Sequence, residues 1–358
     1  MAKQETATIY SEGQKNKEVN VTWLSQEECI AGGAQDMDMI LEYVEKVNKW
    51  LAEGKVVEPE LLHLLWEEGE YSGKRIGVHA ALIRSEEMRV AAVKGIPSNP
   101  MNPINHQTPR SNGMIILYNE DTGYPFAVMD DTIVSALRTG ASSALGAKYC
   151  ARPDSKILGL VGCGVIQNAH IEATSKVMKQ IETVRLYDMN KEKAEAFAAK
   201  WAHLGYKFEI CSDIEEAVAQ SDIVYTATNV NLGEEYIPKE WIKKGSFHSG
   251  VSMWDHQHEA ILEGFNKYCM DYKLRLKDDK YPLSELTKAG KLDPEDIVEL
   301  GEVIRGSRPC RESEDDSVFF VTLGICATDT ANSYRIYKNA KEKGLGTEVK
   351  LWSNPAMF

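Results

Sequence analysis

Between Asp36 and Leu51 the apolar residues Met37, Ile40, Leu41, Val44, Val47 and Leu51 recur at three- and four-residue steps, with Glu42, Glu45, Lys46 and Lys49 between them. That period gathers the apolar side chains on one stripe and predicts an amphipathic helix. Farther on the pattern is that of strands. Arg75–Ile83, Arg89–Ile96, Met114–Tyr118 and Tyr124–Met129 are short apolar runs, the last two separated by Asn119-Glu120-Asp121-Thr122-Gly123, a good hairpin turn. This first part is expected to be antiparallel and mixed with helix. A helical pattern over 131–151 is stopped by Arg152-Pro153.

Beyond Pro153 apolar strands near 156–161, 183–187, 207–210, 222–227, 246–250 and 267–271 alternate with helical stretches such as 166–179 and 190–203. Such alternation builds a parallel sheet with crossover helices. A last helical pattern over 324–343 lies too far past the sixth strand for that sheet to need it, and is expected to return to the first part. At 358 residues the chain exceeds what one core usually serves, which predicts two domains with a cleft between them.

Charge and composition narrow the partners. With 41 basic and 54 acidic residues the net charge is -13, which repels nucleic acid and anionic membrane surfaces. No run reaches the roughly 20 apolar residues of a bilayer span, and MAKQETATIY lacks a signal peptide's apolar core. A cytoplasmic protein is expected. None of the seven cysteines forms a Cys-x-x-Cys pair, so most are read as small buried apolar residues, and no metal site is expected.

Chemistry is concentrated in a few segments. Lys156–Val161 followed by Gly162-Cys163-Gly164-Val165-Ile166-Gln167 sets two glycines at a strand-to-helix turn, where backbone approaches a pyrophosphate at a helix N-terminus. The next strand ends in Asp188, at about the 20-residue spacing from which an acid binds the adenosine ribose, so NAD is expected rather than NADP. Gln167 stands where the fingerprint has its third glycine. Thr226, Ala227 and Thr228 follow another strand, where a dinucleotide commonly lies. Arg138 sits among small and apolar residues and needs an anion, either a substrate carboxylate or an acid such as Asp130 or Asp131. Lys94 ends an apolar strand, as a functional cation or a snorkelling edge lysine. The run from His248 to His258 is rich in titratable groups. Metal binding is the weaker reading there, because Asp255, His256 and His258 are expected in a loop with solvated histidines; Asp255 is the candidate proton relay.

With these residues in view the chain resembles the ornithine cyclodeaminase and mu-crystallin family from about residue 70 to 340. The resemblance rests on 121–125, Ala136-Leu-Arg-Thr-Gly-Ala141, Val161-Gly-Cys-Gly164, Lys244-Gly245, Leu300–Gly306 and Val318–Gly324, in that order. It implies an α/β fold in which a Rossmann-type dinucleotide-binding domain (151–320) is inserted into a discontinuous α+β substrate-binding and dimerisation domain (1–150 and 321–358). It also implies a homodimer. A substrate carboxylate held by Lys94 and Arg138, with Arg75 as a further contact, follows from the same resemblance, as does a catalytic aspartate after the strand ending near Gly250. The family's aspartate falls on Trp254, one place before Asp255. The run Gly250-Val-Ser-Met-Trp-Asp255, with Ser252 as a further cofactor contact, looks more like the branch acting on N-substituted amino acids. Lys94 and Asp255 are the catalytic candidates.

The activity these features imply is NAD-dependent oxidoreduction at the Cα–N bond of a small amino acid, imino acid or N-substituted amino acid through an imine. An ammonia-releasing cyclodeaminase and a non-catalytic mu-crystallin-like binding protein are the alternatives.

Overall fold

The computed structural model describes residues 18–65, 74–230, 232–277 and 281–353. The first part of the chain contributes β1 (Val19–Leu24), β2 (Val56–Val57), β3 (Leu62–Leu65), β4 (Arg75–Arg84), β5 (Arg89–Ser98), β6 (Met114–Tyr118) and β7 (Pro125–Asp130) to one sheet, with helices α1 (Gln26–Ala31), α2 (Met37–Ala52) and α3 (Asn102–Asn105). The amphipathic stripe forms α2 as expected, started by the Asp36 carboxylate, which accepts from the amides of Asp38 and Met39. Strands β4 to β7 are antiparallel neighbours in chain order. The turn between β6 and β7 is held by Asn119 Oδ1, which accepts from the amides of Asp121 and Thr122, and Gly123 supplies the left-handed residue at φ 71. β1 departs from the antiparallel expectation by running parallel to β7.

Helix α4 (Thr132–Cys150) leads to a second sheet formed by β8 (Ile157–Val161), β9 (Thr183–Tyr187), β10 (Lys207–Ile210), β11 (Ile223–Thr226), β12 (Phe247–Gly250), β13 (Lys267–Met270), β14 (Ile297–Glu299) and β15 (Val318–Val321). Its order is β10-β9-β8-β11-β12-β15-β13-β14 and every pairing is parallel. The connecting helices are α5 (Val165–Val177), α6 (Lys191–Trp201), α7 (Ile214–Val218), α8 (His258–Gly264), α9 (Pro282–Lys288) and α10 (Leu300–Arg305). From β8 the chain winds outward through β9 and β10, then crosses back to place β11 on the other side of β8. That reversal is the topological switch point of a doubly wound sheet, where ligands bind beyond the strands' carboxyl ends.

The sheet extends past the sixth strand of the sequence reading. β14 is only three residues long and β15 four, yet β15 is fully buried between β12 and β13. The last helix, α11 (Cys326–Glu342), therefore starts just after a central strand. It does return to the first part, packing on α2, β4, β5 and α4, and β16 (Thr347–Trp352) pairs antiparallel with β1. Glu58, in the loop between β2 and β3, fixes this return. Its carboxylate accepts from the amides of Cys326 and Ala327 at the start of α11 and from Arg275 Nη2 at 3.0 Å.

The two parts are also clamped where α4 meets α5. A Cβ on Gly140 would lie 2.4 Å from the Ala169 carbonyl carbon, so the helices cross at glycine distance. A buried polar chain continues from this crossing. His170 Nε2 lies 3.0 Å from Ser143 Oγ, which lies 3.0 Å from Ser249 Oγ on β12.

Candidate functional site

The carboxyl ends of β8, β11 and β12 converge on the glycine turn. Gly162 adopts φ 86, and a Cβ there would meet the Ala227 carbonyl at 2.7 Å, so both its backbone and its surroundings require glycine. A Cβ on Gly164, by contrast, would have nothing within 4 Å: this residue borders open space at the start of α5. Val165, 71% exposed, opens that helix, whose first-turn amides face the same opening with Ile166 next in line. Asp188 sits beside the turn, its Oδ2 accepting from the Cys163 amide at 2.8 Å and its Oδ1 from the Asn190 amide. A glycine cradle, free helix amides and an acid one strand away fit a dinucleotide.

Gln167 behaves differently from the expectation. It is fully buried, its Nε2 donating to the carbonyls of Val161 and Tyr225 at 3.0 and 2.8 Å while Oε1 meets His170 Nδ1 at 2.6 Å. Its side chain therefore ties the ends of β8 and β11 together from within, replacing a glycine's close packing with hydrogen bonds, and does not face the opening.

Asp255 is likewise corrected. Its carboxylate is fully buried, Oδ2 accepting from Thr226 Oγ1 and Oδ1 from Thr228 Oγ1 and Tyr236 Oη, each at 2.7 Å. Both oxygens are engaged, so the group fastens the loops after β11 and β12 and is not open to a substrate amine. Thr226 and Thr228 spend their hydroxyl protons on it, and Ser252 Oγ accepts from the Thr228 amide. The loop carries backbone strain, with Met253 at φ 72. Nor are two of the neighbouring histidines solvated, while His258, the first residue of α8, keeps partial exposure. His248 and His256 are fully buried with Nδ1 and Nε2 3.0 Å apart, packed on Phe265, because residue 256 bridges back to Ile237; His258 lies opposite Glu285.

The second centre is ionic. Along β5, Val90, Ala92 and Lys94 alternate onto the buried face while Val93 points outward, so strand geometry drives a lysine into the core. It is no snorkelling edge residue. Lys94 Nζ contacts Asp131 Oδ2 at 2.8 Å, Asp329 Oδ1 at 2.7 Å and Ser135 Oγ at 2.8 Å. Arg138, one helical turn beyond Ser135 on α4, donates from Nε to the same Asp329 Oδ1 at 3.0 Å. Its acid is thus neither Asp130 nor Asp131 but a residue of the last helix. Among the described residues its two Nη groups donate no hydrogen bond, and they lie against Gly324, where a Cβ would sit 2.5 Å from Nη1. Gly324 follows β15, so this free fork borders the carboxyl edge of the second sheet, the edge that carries the glycine turn.

Electrostatics distinguish the two acids. Burial pushes Asp131 up against the Lys94 charge, with the Asp329 charge raising it further and Arg138 opposing more weakly. Burial also acts to raise Asp329, but Arg138 and Lys94 together hold it below the usual carboxylate range. His79, opposite Lys94 in the β4–β5 ladder, is pushed down to about 3 by burial and by the Lys94 charge, and so stays neutral. Arg75, at the exposed start of β4, lies about 13 Å along the strand from His79. The structure does not bring it into the cluster, and it makes no ion pair among the described residues. Arg110, which also approaches this end of the sheet, donates to Asn229 in the loop after β11 and bridges the two parts.

Asp329 and Asp131 escaped the sequence reading as substrate-site partners. The available signal was an acid in the run Cys326-Ala-Thr-Asp329, otherwise small and buried. Its partner, 235 residues away, becomes visible only in the fold.

A doubly wound parallel sheet with a glycine turn at its switch point defines a dinucleotide-binding protein, and a buried cation pair borders the same edge. The chain belongs to the ornithine cyclodeaminase/mu-crystallin family, which matches residues 26–344. The N-((2S)-2-amino-2-carboxyethyl)-L-glutamate dehydrogenase of Staphylococcus aureus is 30% identical over 269 residues, 74% of this chain and 79% of that protein. An archaeal alanine dehydrogenase dimer with bound NAD superposes at TM-score 0.82 and 28% identity, over 93% of this chain and 100% of the other. The Δ1-pyrroline-2-carboxylate reductase of Thermococcus litoralis, in complex with NADH and L-proline, gives the same TM-score and identity over 92% and 100%.

Proposed function

We propose that the protein is an NAD-dependent oxidoreductase acting on the Cα–N bond of a carboxylate-bearing amino acid, imino acid or N-substituted amino acid. The observation that carries this reading is the unpaired Arg138 fork beside Lys94, set against the edge of the sheet that holds the glycine turn. Gly162, Gly164, the first amides of α5 and Asp188 would hold NAD, with Ala227, Thr228 and Ser252 lining the opposite side of the turn. When bound, NAD exchanges a hydride with the substrate's Cα.

The residues of this chain then have separable tasks. Arg138 offers two parallel donors to a carboxylate, and Lys94 adds its charge beneath. Two buried cations against two buried acids leave the cluster neutral before substrate enters. The Lys94–Asp131 pair, buried behind the fork, sets the charge beneath the bound carboxylate. Asp255 acts through Thr226 and Thr228 as a positioning residue. We assign 1–150 and 321–358 to the substrate part and 151–320 to the NAD part; among the described residues sheet membership accords with this division, save that Val321 closes β15 of the second sheet.

The relatives' chemistry sets the test. Purified protein is screened for NADH formation with small and N-substituted amino acids, and for NADH consumption with cyclic imines. Ammonia release from a diamino acid without net NADH would replace this reading with cyclodeamination; ligand binding without turnover in any assay would leave a binding protein.

A homodimer is part of the reading. The outer face of the first sheet exposes Val57, Leu62, Leu64 and Val93, at 56%, 64%, 57% and 36%, around a shallow cavity of about 400 Å³ lined by Ala80, Leu82 and Ala91. A single-chain mass in sedimentation at micromolar concentration would refute it. The free state of all seven cysteines accords with a reducing, cytoplasmic setting.

A further inference from the structure

Three cysteines distant in sequence meet at one point. Cys150 is the last residue of α4, Cys269 lies on β13, and Cys310 lies in the segment between α10 and β15. All three are buried, and their sulfur atoms lie within 4.8 Å of one another as free thiols. Tetrahedral zinc–sulfur bonds of about 2.3 Å would hold sulfurs about 3.8 Å apart, so small side-chain rotations suffice to bring all three onto one ion.

We propose that Cys150, Cys269 and Cys310 form a trithiolate site for a thiophilic cation such as Zn²⁺, separate from the dinucleotide edge. The donor set is purely sulfur, which selects soft or borderline cations over Mg²⁺ or Ca²⁺. A cavity of about 380 Å³, lined among others by Lys267, Tyr268, Val298, Arg308 and Glu312, opens onto Cys310 and supplies both an entry path and room for a water as fourth ligand. It lies at the amino ends of β13 and β14, the opposite end from the glycine turn.

Charge balance supports the same assignment. Binding a divalent cation deprotonates the three thiols, releases their protons and leaves one net negative charge. The Arg311 guanidinium stands ready to neutralise it. It donates to the carbonyls of Cys150, Gly245, Ser313 and Glu314 at 2.8 to 3.4 Å, and among the described residues it has no carboxylate partner. The bound ion would cross-link the end of α4 to β13 and the 306–317 segment. Because α4 also carries Arg138, the ion would anchor the far end of the helix that presents the anion fork.

The test uses full-length protein, reduced and stripped of metal, titrated with Cd²⁺ against a competing chelator. One Cd²⁺ per chain is expected, with a thiolate-to-metal charge-transfer band, proton release and a raised melting temperature. Cys269→Ser and Cys310→Ser should each weaken binding about 100-fold or more, whereas Cys29→Ser and Cys211→Ser, outside the cluster, should not. X-ray absorption of the Cd²⁺- and Zn²⁺-loaded wild type guards against variants that misfold. Three sulfur neighbours are expected; fewer than three, or equal Cd²⁺ affinity in Cys310→Ser, overturns the site. Because none of these readouts involves turnover, they stand apart from the activity proposed above.

Discussion

At the scale of single residues the site depends on directional chemistry that conservative substitution separates from charge. Arg138→Lys keeps the positive charge on Asp329 but loses the planar fork. Its kcat/KM toward a carboxylate substrate should fall about 10- to 100-fold, about 1.4 to 2.8 kcal/mol, chiefly through KM. An unchanged KM in steady-state kinetics would remove Arg138 from the substrate. Gly164→Ala tests the cofactor cradle. Its backbone, at φ -85 and ψ -166, accepts a side chain, and the new methyl meets no protein atom within 4 Å. Stability without cofactor should therefore change by less than about 0.5 kcal/mol, while the rise in melting temperature produced by NAD should shrink as affinity drops at least about tenfold. Equal NAD-induced shifts in the two proteins would place the pyrophosphate elsewhere. Lys94 and Arg138 were legible in the sequence because a charge in an apolar run demands an explanation. Asp255, singled out because its run is rich in titratable groups, is explained by three hydroxyl donors: Thr226 at the end of β11, and Thr228 and Tyr236 beyond it.

Elements bring these residues together, and the α4–α5 crossing is a close joint beside Arg138. Gly140→Val would force the helices apart against Ala169 and should destabilise the protein by about 1 to 3 kcal/mol, read from chemical denaturation. Since Arg138 lies two residues from Gly140, catalytic loss should accompany it even where the fold survives; full activity would mean the crossing does not position the fork. At this scale the strands and helices of good length and period were readable, including α2, β4 to β9 and α11. β14 and β15 were not, although β10 to β13 are no longer than β15, and β1 and β16 alternate with too many polar residues to stand out.

For the molecule as a whole, buried histidines couple stability to acid. His170 is fully buried at the α4–α5 joint, and burial pushes it down to about 3. The unfolded chain takes up its proton below about 6.5 while the folded one does not, so the stabilisation is complete above that pH and is lost as pH falls toward 3. Between pH 7 and 5 this single proton should cost about 2 kcal/mol. His170→Gln, which keeps a hydrogen-bonding side chain, should flatten the fall in urea midpoint over that range; an identical fall in both proteins would mean that His170 is not the group responsible. The sequence by itself determined what is local: the periods of the longer elements, the glycine turn with its acid, and the cations misplaced in apolar runs. Those follow from spacing along one stretch of chain. The tertiary structure alone decided which groups pair. Lys94 and Arg138 find Asp329 from the last helix, Gln167 turns inward to stitch two strands, Asp255 is consumed by hydroxyls, and three cysteines spread over 160 positions converge. Such pairings depend on how sheets and helices stack, and a contact between distant positions leaves no period in the chain for a sequence pattern to record.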